Sequence, residues 1–238
     1  MTNKHLFFDL DRTLWDFEKN SEIALFKLFH ELGLNEAIDS FENFHTNYKV
    51  NNAYLWKEYG AGRLSKGNLR NDRFRITLEQ FDVKDPDLVN KISDGYVELS
   101  PQQTALFPKT HETLDYLQKE GYNMHIITNG FKEVQYIKLN KSGLDRYFDV
   151  IVCSEDVGQN KPSPAIFKHS LDTANAKAID SVMIGDDYEV DVAGARNFGM
   201  HAILFDPYDE KKHLEDEGRI KHLNEIPSKL PWIFKNVI

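Results

Sequence analysis

Five short stretches of the chain, Leu6–Leu10, Met124–Thr128, Val150–Cys153, Val182–Gly185 and Ala202–Phe205, are mostly apolar with little alternation. A strand with one wet face alternates apolar and polar residues, whereas a strand covered on both faces does not. The pattern therefore predicts a parallel sheet with helices on both sides. Between the last four stretches the apolar positions shift to helical spacing. One helix is expected from Phe131 to Ser142, stopped by Gly143. A second begins at Ser163-Pro164, a capping side chain followed by a proline at the first helical position, and runs to Ala174. A third covers Val190 to Phe198 and stops at Gly199. Strand and helix in turn predict a doubly wound α/β fold.

The interval between the first two strands breaks this rhythm. Helical patterns fall at 17–32, 38–59, 65–81 and 86–99, broken at Gly33, Gly60-Ala61-Gly62 and Asp85-Pro86. A crossover between parallel strands needs only about a dozen residues. Residues 16–100 are therefore expected to form an inserted helical domain, with 1–15 and 101–238 as the core. The chain would return through Pro101–Pro108 into a core helix from Thr110 to Glu120, ended by Gly121. The mixed acidic and basic run Asp209–Lys221 reads as a solvated loop and helix face. No internal repeat or low-complexity segment is evident.

Composition narrows the function classes. The 238 residues are 41% hydrophobic and 28% charged, as in an ordinary globular protein. A net charge of -9 disfavours a nucleic-acid polymer as partner, because gripping its backbone needs clustered positive charge. It leaves a small anionic substrate open, since a local site can be positive on an acidic protein. No run approaches the length of a membrane span, and no secretory signal is evident. One cysteine, Cys153, cannot form an intrachain disulfide and reads as a small buried hydrophobe. These features predict a cytoplasmic protein; oligomeric state cannot be read from them.

Four places carry candidate chemistry. In Phe8-Asp9-Leu10-Asp11-Arg12-Thr13-Leu14 two carboxylates stand two residues apart where a strand ends. Strand C-termini are where open α/β sheets bind ligands. One carboxylate can attack phosphorus, the other can move a proton, and a divalent cation would relieve their repulsion. Two turn aspartates would look the same. Ile126-Ile127-Thr128-Asn129-Gly130 ends a strand in a hydroxyl and a glycine, suited to a phosphate oxygen or simply to a helix start. Asn160-Lys161-Pro162-Ser163-Pro164 sets a lysine before a proline-led helix. Gly185-Asp186-Asp187-Tyr188-Glu189-Val190-Asp191 clusters acids after a buried strand, a hard-oxygen set of the kind Mg²⁺ takes.

Taken jointly and in this order, the four resemble the motifs of the haloacid dehalogenase-like hydrolase superfamily. They match at Asp9-Leu10-Asp11-Arg12-Thr13, at Thr128, at Lys161, and at Gly185-Asp186-Asp187 with Asp191. The resemblance covers essentially the whole chain. It implies a Rossmann-like parallel sheet of order 5-4-1-2-3 with an inserted α-helical cap. It also implies Mg²⁺-dependent hydrolysis of a phosphate monoester through an aspartyl-phosphate. Asp9 would be nucleophile and metal ligand, and Asp11 general acid/base with its main-chain carbonyl on the metal. Thr128 and Asn129 would hold the phosphoryl group, and Lys161 would pair with it and with Asp9. Asp186 would ligate the metal, with Asp187 and Asp191 supporting.

Leu14-Trp15-Asp16-Phe17, Leu55-Trp56-Lys57-Glu58-Tyr59 and Gly62-Arg63-Leu64 further resemble a branch of pyrimidine nucleotidases. That likeness implies a pyrimidine nucleoside 5′-monophosphate as substrate, with Gly62 and Arg63 as substrate-binding candidates. Sister branches act on phosphoglycolate or sugar phosphates. Other readings stay open: a dehalogenase, a phosphomutase, or a non-enzymatic phospho-acceptor module. The glycine-flanked segment Gly60–Gly67 is no phosphate loop, for it lacks the Gly-Lys-Ser/Thr ending and a preceding strand. The aromatics Phe41, Phe44, Tyr48, Tyr54 and Trp56 read as helix core before a base-stacking surface. The nine histidines show no zinc-ligand spacing.

Overall fold

Five strands form one parallel sheet: β1 (His5–Phe8), β2 (Asn123–Thr128), β3 (Val150–Cys153), β4 (Ser181–Gly185) and β5 (His201–Leu204). Their order is β3-β2-β1-β4-β5 in this computed structural model, which describes residues 4–214 and 218–235. It is the expected order read from the opposite edge. Phe8 of β1 pairs with Ile126 on one side and Ile184 on the other, so β1 is the central strand. Side chains alternate between two cores. Leu6, Phe8, Ile126, Ile184 and Ile203 pack on one face against Leu114, Leu117 and Leu139. Phe7, Ile127, Val152, Met183 and Leu204 pack on the other against Ile166, Phe167 and Val192. Both faces are dry, which is why the strands lack alternation.

The core helices are α5 (Thr110–Lys119), α6 (Lys132–Lys141), a one-turn α7 (Ser154–Val157), α8 (Pro164–Thr173), α9 (Gly194–Asn197) and α10 (Ile226–Ile233). Their numbering follows four helices of the insert. Two departures from the sequence reading stand out. The helix expected over Val190–Phe198 begins as a π-helix, Tyr188–Ala193, and only then becomes α9. The final helix α10, with Pro227 near its start and Pro231 inside it, was not anticipated. Within the run Asp209–Lys221, residues 215–217 lie outside the described part of the chain.

By contacts the chain divides into two compact units, 1–17 with 104–238, and 18–103. The path out of the first unit is tightly built. After β1 a turn closes with the Trp15 amide donating to Leu10 O at 2.9 Å. The outgoing and returning segments then pair antiparallel. Asp16 N donates to Ala105 O at 3.0 Å, Phe107 N donates to Leu14 O at 3.0 Å, and Trp15 bridges Leu106.

The second unit is helical: α1 (Phe17–Glu31), α2 (Phe41–Gly60), α3 (Lys66–Glu79) and α4 (Pro86–Leu99). Ser40, Ser65 and Asp85 cap α2, α3 and α4 by accepting main-chain N–H bonds. Each such cap contributes roughly 1 kcal/mol. Phe29, Phe44, Tyr48, Phe74, Ile92 and Tyr96 share one core. Of the aromatics assigned to helix core, Phe44 and Tyr48 are fully buried and Phe41 packs beside them, whereas Tyr54 is 60% exposed. Tyr54 lies outside the buried face of α2. No helix of the described residues is long and apolar enough to cross a membrane.

Candidate active site

The C-terminal ends of β1, β2 and β4 bring most of the candidate residues together. Asp9 directly follows β1, and its main-chain N–H donates to Ile184 O of β4 at 2.8 Å. Lys161 reaches it from the loop before α8. The Lys161 ammonium, only 3% exposed, donates to Asp9 Oδ1 at 2.7 Å, to Asp191 Oδ1 at 2.7 Å and to Ile127 O at 2.8 Å. An ammonium has three hydrogens, so all are committed. The pairing with Asp9 that the resemblance implies is present, and a pairing with a phosphoryl group would rest on the charge of the same ammonium.

Asp191 is fixed on both oxygens. Oδ1 accepts from Lys161, and Oδ2 accepts from Asp187 N at 3.1 Å. Gly185 makes room for it, because a Cβ at that position would overlap the Asp191 carboxylate. Asp187 caps the π-helix by accepting from Val190 N at 3.0 Å. Of the two supporting acids, Asp191 is therefore the one that orients Lys161.

Asp9, Asp186 and Asp191 can each place an oxygen within 4.8 Å of the others. Burial pushes the Asp9 carboxyl up to about 7, against the pull of Lys161 and with the repulsion of Asp191 and Asp11. Burial, then the Asp191 and Asp9 charges, raises Asp186 well above the carboxylate range. Burial works against the Lys161 ammonium, yet Asp191 and Asp9 hold it above the usual lysine range. Three carboxylates against one ammonium leave excess negative charge that a small divalent cation would offset, and the donors are hard oxygens. The donor set thus fits Mg²⁺. Asp191 already accepts a hydrogen bond on each oxygen, so Asp9 and Asp186 carry fewer competing contacts.

Asp11 faces a different set of partners. Its Oδ1 accepts from Lys138 Nζ at 2.5 Å and its Oδ2 from Gln135 Nε2 at 2.8 Å. A metal contact through its carboxylate is not what this arrangement offers, and its main-chain carbonyl is the alternative. Thr128 Oγ1 accepts from Gly130 N at 3.1 Å and from Gln135 Nε2 at 2.7 Å. With both acceptor positions filled, the hydroxyl hydrogen remains to donate. Asn129 turns its side chain to the Lys161 main chain: Oδ1 accepts from Lys161 N at 2.8 Å, and Nδ2 donates to Lys161 O at 3.1 Å. One Nδ2 hydrogen and the main-chain N–H of Asn129 are what it could offer a phosphoryl oxygen.

Gly62 and Arg63 belong to the helical unit. Gly62 has φ +71 with nothing within 4 Å of an added Cβ, so the turn is open. The Arg63 guanidinium forks onto Glu58, with Nε and Nη2 each 2.7 Å from a carboxylate oxygen. Trp56 and Tyr59 meet edge to face at 5.6 Å. Cys153 is buried and its thiol is pushed up to about 12 by burial, as a packing residue should be. Gln135 and Lys138 escaped the sequence reading. Their only signal was the three-residue spacing that puts both on one face of α6.

The haloacid dehalogenase-like hydrolase family model matches residues 6–205. A ribulose-1,5-bisphosphate 5-phosphatase of Halopiger xanaduensis is 30% identical, covering 89% of this chain and 88% of its own. The pyrimidine 5′-nucleotidase PynA of Streptococcus pneumoniae is also 30% identical, over 96% and 92%. The HAD hydrolase YfnB of Bacillus subtilis, solved bound to magnesium, superposes with a TM-score of 0.86 at 25% identity, covering 96% and 98%. With a family match over most of the chain and relatives that span it nearly end to end, this protein belongs to the haloacid dehalogenase-like hydrolases.

Proposed function

We propose that the protein is a Mg²⁺-dependent phosphomonoesterase that works through an aspartyl-phosphate on Asp9, in the cytoplasm. The observation that carries this reading is the Lys161–Asp9 pair set among Asp186 and Asp191 at the ends of the central strands. Displacement at carbon, as in a dehalogenase, has no use for that surplus of carboxylates or for Asp11.

Lys161 occupies Asp9 Oδ1, so Oδ2 is the oxygen that attacks phosphorus. As the P–O bond to the leaving group breaks, Asp11 gives the departing oxygen a proton. Asp11 then takes a proton from water, whose oxygen attacks the phosphorus and frees Asp9 and inorganic phosphate. The Thr128 hydroxyl donates to a phosphoryl oxygen, and Lys161 adds positive charge behind Asp9. Mg²⁺ held by Asp9, Asp186 and the Asp11 main-chain carbonyl would offset charge on the phosphoryl oxygens.

These groups all address the phosphoryl end, so choice of leaving group falls to the 18–103 unit, acting as a cap. The likeness to PynA and the Leu55–Arg63 segment favour pyrimidine nucleoside 5′-monophosphates such as dUMP and dTMP. The equal identity to a sugar-bisphosphate phosphatase makes the comparison of substrates decisive. Asp9→Asn should abolish turnover, and excess chelator should stop the wild-type enzyme until Mg²⁺ is restored. Normal activity of purified Asp9→Asn would defeat the mechanism. For the substrate, kcat/KM is compared across dUMP, dTMP, AMP, ribulose 1,5-bisphosphate and a hexose phosphate. A preference for either sugar phosphate would remove the nucleotidase assignment and leave the phosphatase intact.

A further inference from the structure

Gln135 and Lys138 sit three residues apart on α6, 0% and 5% exposed, and both reach the Asp11 carboxylate. We propose that they are positioning residues for the reaction, clamping the two oxygens of Asp11 and turning the Thr128 hydroxyl toward the phosphoryl group. This rests on the phosphatase reading given above.

The geometry leaves little slack. Lys138 Nζ lies 2.5 Å from Asp11 Oδ1 and 4.3 Å from the centre of the Trp15 ring, so the ammonium is held between a carboxylate and an aromatic face. Gln135 Nε2 spends both hydrogens, one on Asp11 Oδ2 and one on Thr128 Oγ1. Its Oε1 is buried without a partner. The reversed amide would satisfy no more groups, for it would aim Oε1 at the Asp11 carboxylate. Gln135 Nε2 therefore faces two oxygens that accept from it, and that contact makes Thr128 an acceptor. With Gly130 N as the second donor to Oγ1, the Thr128 hydrogen has only the phosphoryl side left. Gly130 completes the device: a Cβ there would overlap the Gln135 amide. An unpartnered buried carbonyl costs about 1–3 kcal/mol, and its retention here fits a residue held for reaction geometry.

A free Asp11 would sample rotamers that miss the leaving oxygen, and a misplacement of about 1 Å can cost on the order of 10²-fold in rate. The test uses Gln135→Leu and Lys138→Met in the full chain with Mg²⁺. Two esters are compared: p-nitrophenyl phosphate, whose leaving group needs no proton, and dTMP or glycerol 3-phosphate, whose leaving group does. With the alkyl ester kcat should fall roughly 10–100-fold, with KM within about threefold of wild type. With p-nitrophenyl phosphate, transfer to Asp9 should stay fast while water attack slows. A burst of about one nitrophenolate per enzyme should then precede a slow steady state. Lys138→Arg should restore most of the alkyl-ester rate. Should the leucine or methionine variant fail to fold, Gln135→Asn and Lys138→Arg supply the same comparison, with the shortened amide giving the defect and the retained cation giving near-normal rates. Unchanged kinetics overturn the assignment, as do equal losses on both esters with no burst. A wild-type enzyme that hydrolyses neither ester overturns the phosphatase reading and this inference with it.

Discussion

Lys161 is the residue on which the site turns, because one buried ammonium holds two buried carboxylates in place. Replacing it with methionine leaves Asp9 and Asp191 facing each other without a counter-charge. Removing one partner of a buried pair typically costs about 3–5 kcal/mol. Lys161→Met should therefore lose both turnover and stability, the second read as a lower urea midpoint at constant slope. A stability equal to wild type would mean that Asp9 and Asp191 are adequately solvated without it. A smaller change probes the same arrangement. Gly185→Ala places a methyl where the Asp191 carboxylate sits. It should displace Asp191, loosen Lys161 and reduce kcat by roughly tenfold or more, with the circular dichroism spectrum retained. At this scale the candidate residues were legible in the sequence, since Asp9, Asp11, Thr128, Lys161 and the acids after Gly185 lie at or just past a strand end or shortly before a helix. Their division of labour was not. That Asp191 binds Lys161, and that Asn129 serves the Lys161 main chain, depends on loops 30 or more residues apart.

Among the elements, the side chain of Asn129 ties the exit of β2 to the loop before α8 by two hydrogen bonds to the main chain of one residue, Lys161. Asn129→Ala should free that loop and let Lys161 wander. A fall in kcat of about tenfold is expected, with a smaller loss for Asn129→Asp, which keeps the acceptor. Equal effects of the two would mean that the clasp is immaterial. A second feature lies at the far end of the same strands. His5 Nδ1 and His125 Nε2 stand 3.0 Å apart in the β1–β2 pair, and both rings are buried. Burial lowers His125 to about 4, with His5 adding to the effect. Burial also lowers His5, although Asp180 and Asp149 pull the other way. Both groups fold neutral. The stability they contribute is thus complete above their ordinary value near 6.5 and is lost as pH falls below it, for His125 down to about 4. Melting temperature should drop between pH 7.5 and pH 5, and His125→Phe should reduce that drop. An equal drop in the variant would place the acid sensitivity elsewhere.

The strands were readable because their two dry faces impose a simple rule on the sequence. The helices of the insert were readable because Ser40, Ser65 and Asp85 advertise their starts. The π-helix at Tyr188–Ala193 carries no comparable signal. It is a widened turn compatible with Asp187 capping it and Asp191 reaching back to Lys161. Gln135 and Lys138 were illegible for a plainer reason: the partner they share is more than 120 residues away. A glutamine and a lysine on a helix otherwise read as surface.

Across the whole molecule, the strand-end residues fall in the 1–17 and 104–238 unit, and under the proposed function leaving-group choice would fall to 18–103. The outgoing and returning segments meet side by side, Asp16 N against Ala105 O, before residue 18 and after residue 103. An insertion whose two ends emerge as neighbours leaves the host's own pairing unbroken. The host can keep its strand order whatever is spliced in, since the gap to be bridged is no wider than a hydrogen-bonded pair. Such a junction leaves the strand-end residues in place whatever the insert contains, and the relatives named for a nucleotide and for a sugar bisphosphate each align over most of this chain, insert included. Excising 18–103 and joining the ends with about four Gly/Ser residues, a common hairpin length, should leave a truncated chain that unfolds cooperatively. It should also accept p-nitrophenyl phosphate without ranking dTMP above a hexose phosphate. If the excised chain cannot fold, the insertion has become part of the host.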